Sequence, residues 1–267
     1  DELPGGPVVQ PQLHLRPSDG DGAGVRRTDA AADQPSSPSV HPATTTLRAL
    51  RRHQLNQETL LFDPATPEPD ALKAVLAFPS TYSVGITSLG YQIVWATLAR
   101  RSDVDVRRLF TDQGDPLPRH CDLFGLSLSW ELDGPVLPEL LQNQRIPIWA
   151  VERGDQDPIV FGGGPVLTAN PEPLAPFFDA VLLGDGELLL PAFIDALQQC
   201  RGADRQARLR HLAQVPGVYV PALYAPQYDS DGQLQGVKPI QSGLPQTIEK
   251  QTWRGNCLLY TSPSPRD

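Results

Sequence analysis

Between residues 72 and 199, short apolar runs alternate with segments of helical spacing, and several of the runs end in turns rich in glycine or small hydroxyl residues. Leu72–Phe78 is apolar apart from Lys73 and stops at Pro79, as a buried strand would. Leu89–Arg101 then carries Ile93, Val94 and Leu98 at helical spacing, with Arg100 and Arg101 suited to a helix C-terminus. Val104–Phe110 and Leu123–Ser129 read as the next strands, and Val136–Gln144 as a helix. Pro147–Val151 reads as a short strand, Ile159–Phe161 and Ala180–Leu183 as further strands, and Glu187–Gln199 as the closing helix. Strands that are apolar along nearly their whole length must be covered on both faces, and short strand-helix alternation supplies the cover. The expected architecture is therefore α/β: a flavodoxin-like (Rossmann-like) three-layer αβα domain on a parallel sheet, over residues 69–201.

The flanks differ. Residues 1–44 are rich in Pro, Asp, Gly, Ala and Ser, and too poor in large apolar side chains to offset the entropy of ordering, so disorder is expected. Residues 45–68 read as a short basic helix, with Leu47 and Leu50 on one side, followed by a linker marked by Pro64 and Pro67. Residues 202–255 are less regular and read as a connector to a following domain. Within them, Ala207–Leu212 has helical character, Pro216–Pro221 looks like an edge strand between two prolines, and Asp229–Gly232 is a hairpin-type turn.

Net charge is −9, and no basic cluster is long enough to follow a phosphate backbone, which argues against nucleic acid as a partner. No apolar run approaches the roughly 20 residues that span a bilayer, so no membrane partner is expected. The chain opens without the features of a signal peptide and contains no Met, so it is expected to be a piece of a longer reading frame. Cys121, Cys200 and Cys257 are too scattered for a disulfide framework or a C-x-x-C metal site. They fit a reducing compartment, and the expected location is the cytoplasm, with an organelle as the alternative.

In an open parallel sheet, ligands bind past the carboxyl ends of the strands, where strand order reverses. The first loop offers Ser80, Thr81, Tyr82, Ser83, Gly85, Thr87 and Ser88. The third strand ends in Ser127, Ser129 and Trp130, the next in Gly162, Gly163, Gly164 and Pro165, and the last in Gly184, Asp185, Gly186 and Glu187. Glycines let backbone approach a large ligand, while hydroxyls and helix N-terminal amides can hold a phosphate. Other readings stand beside this one. Tight strand-to-helix turns need glycine in any αβα domain. Asp185 and Glu187 also suit a helix start, and Trp130 also reads as a core aromatic. No G-x-G-x-x-G, P-loop, metal-ligand spacing of histidines or Ser-His-Asp set is present, so no catalytic residue and no metal ligand is assigned.

Taken in order, these segments resemble the cobalamin-binding domain of radical-SAM proteins. Ala77–Gly90 resembles its opening, Phe124–Ser129 its third strand and loop, Val160–Pro165 with Asn170-Pro171-Glu172 its "GGP … NPE" segment, and Asp179–Glu187 its D-x-V-x-x-G-[DE]-G-E segment. The resemblance implies a cobalamin held between this sheet edge and a radical-SAM barrel. In the full-length protein a 4Fe-4S cluster would cleave S-adenosylmethionine, with cobalamin often a methyl carrier. Two departures matter. No D-x-H-x-x-G is present, so no cobalt ligand can be named. No C-x-x-x-C-x-x-C is present either, so this chain cannot ligate the cluster and is expected to be inactive alone. Residues 256–267 read as an artefactual tail, and a radical-SAM domain missing here is expected to follow at about Trp253. A flavodoxin-like flavin or nucleotide binder and a ligand-free interaction domain are the competing readings.

Overall fold

Strand β1 (Leu72–Ala77) is the pivot of the sheet and is buried along its length except at Lys73. The computed structural model describes residues 58–254. The expected disorder of 1–44, the basic helix before residue 58 and the tail 256–267 lie outside the described residues. Five strands run parallel: β1, β2 (Val104–Leu109), β3 (Leu123–Ser127), β4 (Ile159–Gly163) and β5 (Ala180–Leu182). A sixth, β6 (Val218–Tyr219), pairs antiparallel with β5. The order is β2-β1-β3-β4-β5-β6. The first crossover moves outward from β1 to β2 and the next returns past β1 to β3, which makes the β1/β3 boundary the switch point of a flavodoxin-like sheet. The expected three-layer α/β fold is what the chain adopts.

Because side chains alternate across a strand, β1 divides its residues between two cores. Leu72, Ala74 and Leu76 face one of them, with Tyr91 and Leu98 of α2 (Leu89–Ala99) and Leu189, Phe193 and Ile194 of α5 (Gly186–Gln199). Val75 and Ala77 face the other, with Leu137, Leu140 and Leu141 of α3 (Leu137–Asn143) and Leu167 of α4 (Pro165–Ala169). The loop after β1 contains a one-turn helix, α1 (Tyr82–Gly85).

One expectation meets a different outcome. Pro147–Val151 is not a strand; a 3-10 turn forms over Ala150–Glu152. The carbonyls of Pro147 and Ile148 are taken by the Arg153 guanidinium at 3.0 and 2.9 Å, and Trp149 stacks on Phe177 at 5.0 Å, so this segment joins no ladder. Residues past 201 also contribute to the core and the sheet. Helix α6 (Arg205–Leu212) buries Leu209 and Leu212 in the first core, and β6 completes the sheet. Asp204 caps α6 by accepting from Ala207 N at 2.7 Å. Beyond β6, β7 (Tyr224–Tyr228) and β8 (Leu234–Pro239) form a hairpin whose turn carries Gly232 at φ 75°. Among the described residues no helix is long and apolar enough to cross a membrane.

Candidate functional site

A cleft of about 690 Å³ opens past the carboxyl ends of β1, β3, β4 and β5, against the starts of α2, α4 and α5. Its floor is apolar: Leu76, Leu126, Phe161 and Leu182 each come from near the end of a strand. Hydroxyls of Ser88, Ser127, Ser129 and Thr168 line it, as do Gly163, Gly164, Gly184 and Gly186. An apolar cavity with a few converging polar groups at the switch point is where this class of sheet binds ligands.

The sequence motifs divide at this cleft. Ser88, Ser127, Ser129, Gly163, Gly164, Pro165, Gly184, Asp185, Gly186 and Glu187 all line it. Ser80, Thr81, Tyr82, Ser83, Gly85, Thr87, Gly162 and Trp130 stand outside it. Most of the first loop turns back onto the domain. The Tyr82 amide donates to Asp112 at 2.8 Å and its hydroxyl to Glu58 at 2.6 Å; burial, with that bond, pushes the phenol up to about 12. A Cβ on Gly85 would press on the ring of Phe110, so this glycine serves packing. Thr81 and Ser83 bond each other, and the Thr87 hydroxyl donates to Val84 O. Only Ser88, the N-cap of α2, reaches the cleft, and it accepts from Tyr91 N at 3.4 Å. Gly162 faces the second core, where a Cβ would meet Leu167 and Phe178. Trp130 is 70% exposed, which removes the core-aromatic reading.

Two cleft glycines have a strict backbone reason. Gly164 has φ 114° and lies against the Leu128 carbonyl; Gly184 has φ 129° and lies against the Gln251 carbonyl. Neither position can carry a Cβ. Gly90 is different: nothing lies within 4 Å of where its Cβ would be, so the space there is open.

Sequence reasoning missed several lining residues. Tyr91, Ile93 and Val94 present one side of α2, and Thr168 lies on α4, where it accepts from Gly184 N at 3.2 Å. The spacing of Ile93 and Val94 was a signal of helix, not of site. Lys250 also lines the cleft, from a segment with no recognisable motif. Tyr91 donates to Leu76 O at 3.0 Å, and burial holds its phenol well above the ordinary tyrosine range, so it is a fixed donor.

Among the described residues, neither His nor Cys lines the cleft. Among the described residues, no three His, Cys, Asp or Glu side chains cluster as a metal site. Burial pushes the Cys121 thiol up to about 11, which suits a packed thiol rather than a nucleophile. Asp179, the first residue of the D-x-V-x-x-G-D-G-E string, sits at the opposite end of β5, buried between Arg153 and Arg205 at 2.9 and 2.7 Å.

Fold and cleft together define an α/β domain with an open cavity at the switch point of its sheet. Residues 94–221 match the family model described as "Radical SAM proteins, N-terminal". Two solved structures of the cobalamin-dependent S-adenosylmethionine radical enzyme OxsB align with this chain at 15% and 16% identity. One has aqua-cobalamin and S-adenosylmethionine bound, the other aqua-cobalamin; each alignment has a TM-score of 0.39 and covers 62% of this chain and 22% of the OxsB chain. No curated protein matches the sequence.

Proposed function

We propose that this chain is the cobalamin-binding module of a B12-dependent radical-SAM enzyme, with the corrinoid lying in the cleft at the β1/β3 switch point. The observation that carries this reading is convergence: the motifs after β3, β4 and β5, far apart in sequence, line one cavity. The residues present fit a bulky ring bearing amide groups. The apolar floor suits the ring, the open space at Gly90 lets it approach, and Ser127, Ser129 and Thr168 offer hydroxyls to its periphery. Among the described residues no His lines the cleft, so these residues would hold the corrinoid by shape and hydrogen bonds. A bound cobalamin would supply a methyl carrier. The 4Fe-4S cluster and S-adenosylmethionine belong, in this reading, to a radical-SAM domain elsewhere in the full-length protein, which would close on the cleft.

The test is reconstitution of the whole chain with hydroxocobalamin, then gel filtration and a visible spectrum. Near-stoichiometric corrinoid should travel with the protein; colourless protein under conditions where it is folded sinks the reading. A second reading rests on the strand order with hydroxyls at the ends of β3, which equally suits a flavin. Retained flavin fluorescence, in place of corrinoid absorbance, would select it.

A further inference from the structure

Lys250 reaches the cleft because the chain around it is seated in a fitted slot. Gln251 N donates to Leu183 O at 3.0 Å, and Asp185 N donates to Gln251 O at 2.9 Å. Trp253 N donates to the Asp185 carboxylate at 2.7 Å. The slot has glycine walls. Gly184 lies under the Gln251 carbonyl, and a Cβ on Gly217 would come within 2.6 Å of Gln251 Cγ. These contacts fix the strap Lys250–Trp253 beside the loop after β5, and so fix where Lys250 emerges.

Among the described residues Lys250 is the only basic one lining the cleft, and it makes no ion pair with another of them. Of the two acids lining the same cavity, Asp185 is engaged by the strap's own amide, while Glu187 stands exposed at the start of α5. Residues at the starts of two long helices, α2 and α5, also line the cavity, and a helix start favours an anion. A lysine that lines one cavity together with hydroxyl residues and helix starts suits a phosphate.

We propose that Lys250, positioned by the strap, binds a phosphate ester of the organic ligand held in the cleft. This rests on the reading of the cleft as a ligand site and deepens it. Two ligand classes carry such a group: a corrinoid with its nucleotide loop, or a flavin mononucleotide. Each has a phosphate-free counterpart, cobinamide and riboflavin.

The experiment is equilibrium dialysis of the full chain against hydroxocobalamin, cobinamide, FMN and riboflavin, with wild type, Lys250→Ala, Lys250→Arg and Gly184→Ala. For the bound class, Lys250→Ala should weaken the phosphate-bearing member about tenfold and its counterpart less than about twofold, the scale of one charge-assisted hydrogen bond. Lys250→Arg should restore most of the loss. Gly184→Ala, which unseats the strap, should reproduce it. Equal loss on both members of a pair, or no loss, overturns the role of Lys250 while leaving the corrinoid reading intact. Selective loss seen only with FMN supports Lys250 and overturns the corrinoid reading. Wild-type protein that binds none of the four probes overturns both.

Discussion

Asp179 shows how one motif can do two jobs. The string Asp179–Glu187 reads as a single signature, yet its first residue is structural and its last four line the cleft. Asp179 accepts from Arg153 at 2.9 Å and from Val160 N at 2.8 Å, and Arg205 lies at 2.7 Å. Arg205 also donates to the carbonyls of Gly154, Asp157 and Pro158. Burial lowers the Arg153 guanidinium's proton affinity against the pull of Asp179. Breaking a buried pair of this kind typically costs about 3–5 kcal/mol, because the remaining charges keep their burial and lose their partner. Asp179→Asn should lower stability on that scale in urea unfolding. Asp103 provides a pH-dependent case. Hydrogen bonds from Arg101 hold its carboxyl below the ordinary aspartate value. A depressed folded value contributes stability that is present above the unfolded value of about 4 and lost as pH falls through the folded one. Asp103→Asn should therefore lose less stability than wild type between pH 5 and pH 2, read from urea midpoints at each pH.

At the scale of elements, what was legible in the sequence was what local pattern determines. The strands, the long helices and the Asp229–Gly232 turn follow from apolar period and turn chemistry. What was not legible depended on distant partners. The hydroxyl-rich loop after β1 has the composition of a phosphate cradle, but Asp112 and Glu58 pin Tyr82 and turn most of the loop away. The segment after Pro147 has strand composition, but Arg153 takes its carbonyls. Gly162 illustrates the same split. Its place in a glycine run suggests ligand contact, while its neighbours Leu167 and Phe178 show a packing role. Gly162→Ala should cost about 1–3 kcal/mol through overpacking, in line with small-to-large core changes. It should leave ligand affinity per folded molecule unchanged, as measured by denaturation and dialysis on the same preparation.

For the molecule as a whole, the strand order decides where a ligand can sit, and the segment past residue 201 decides whether the sheet is complete. β6 covers the outer edge of β5, and Leu209, Leu212 and Val218 fill the first core. A chain ending at residue 201 would expose that edge and remove those side chains, and an open edge is a template for association. Such a truncation should elute as aggregate and lack the cooperative unfolding transition of the full chain. Lys250 was invisible to sequence reasoning for a related reason: its role depends on a contact between residues 184 and 251, which no local pattern encodes.

That contact has a mechanical side. Trp253 hangs from the carboxylate of Asp185, and Asp185 opens the first turn of the fourteen-residue helix α5. The strap and the rim of the cavity thus share one hydrogen bond. Loosening the strap would therefore free Lys250 and the start of α5 in one event, so amide exchange at Trp253 should rise together with exchange in the first turn of that helix.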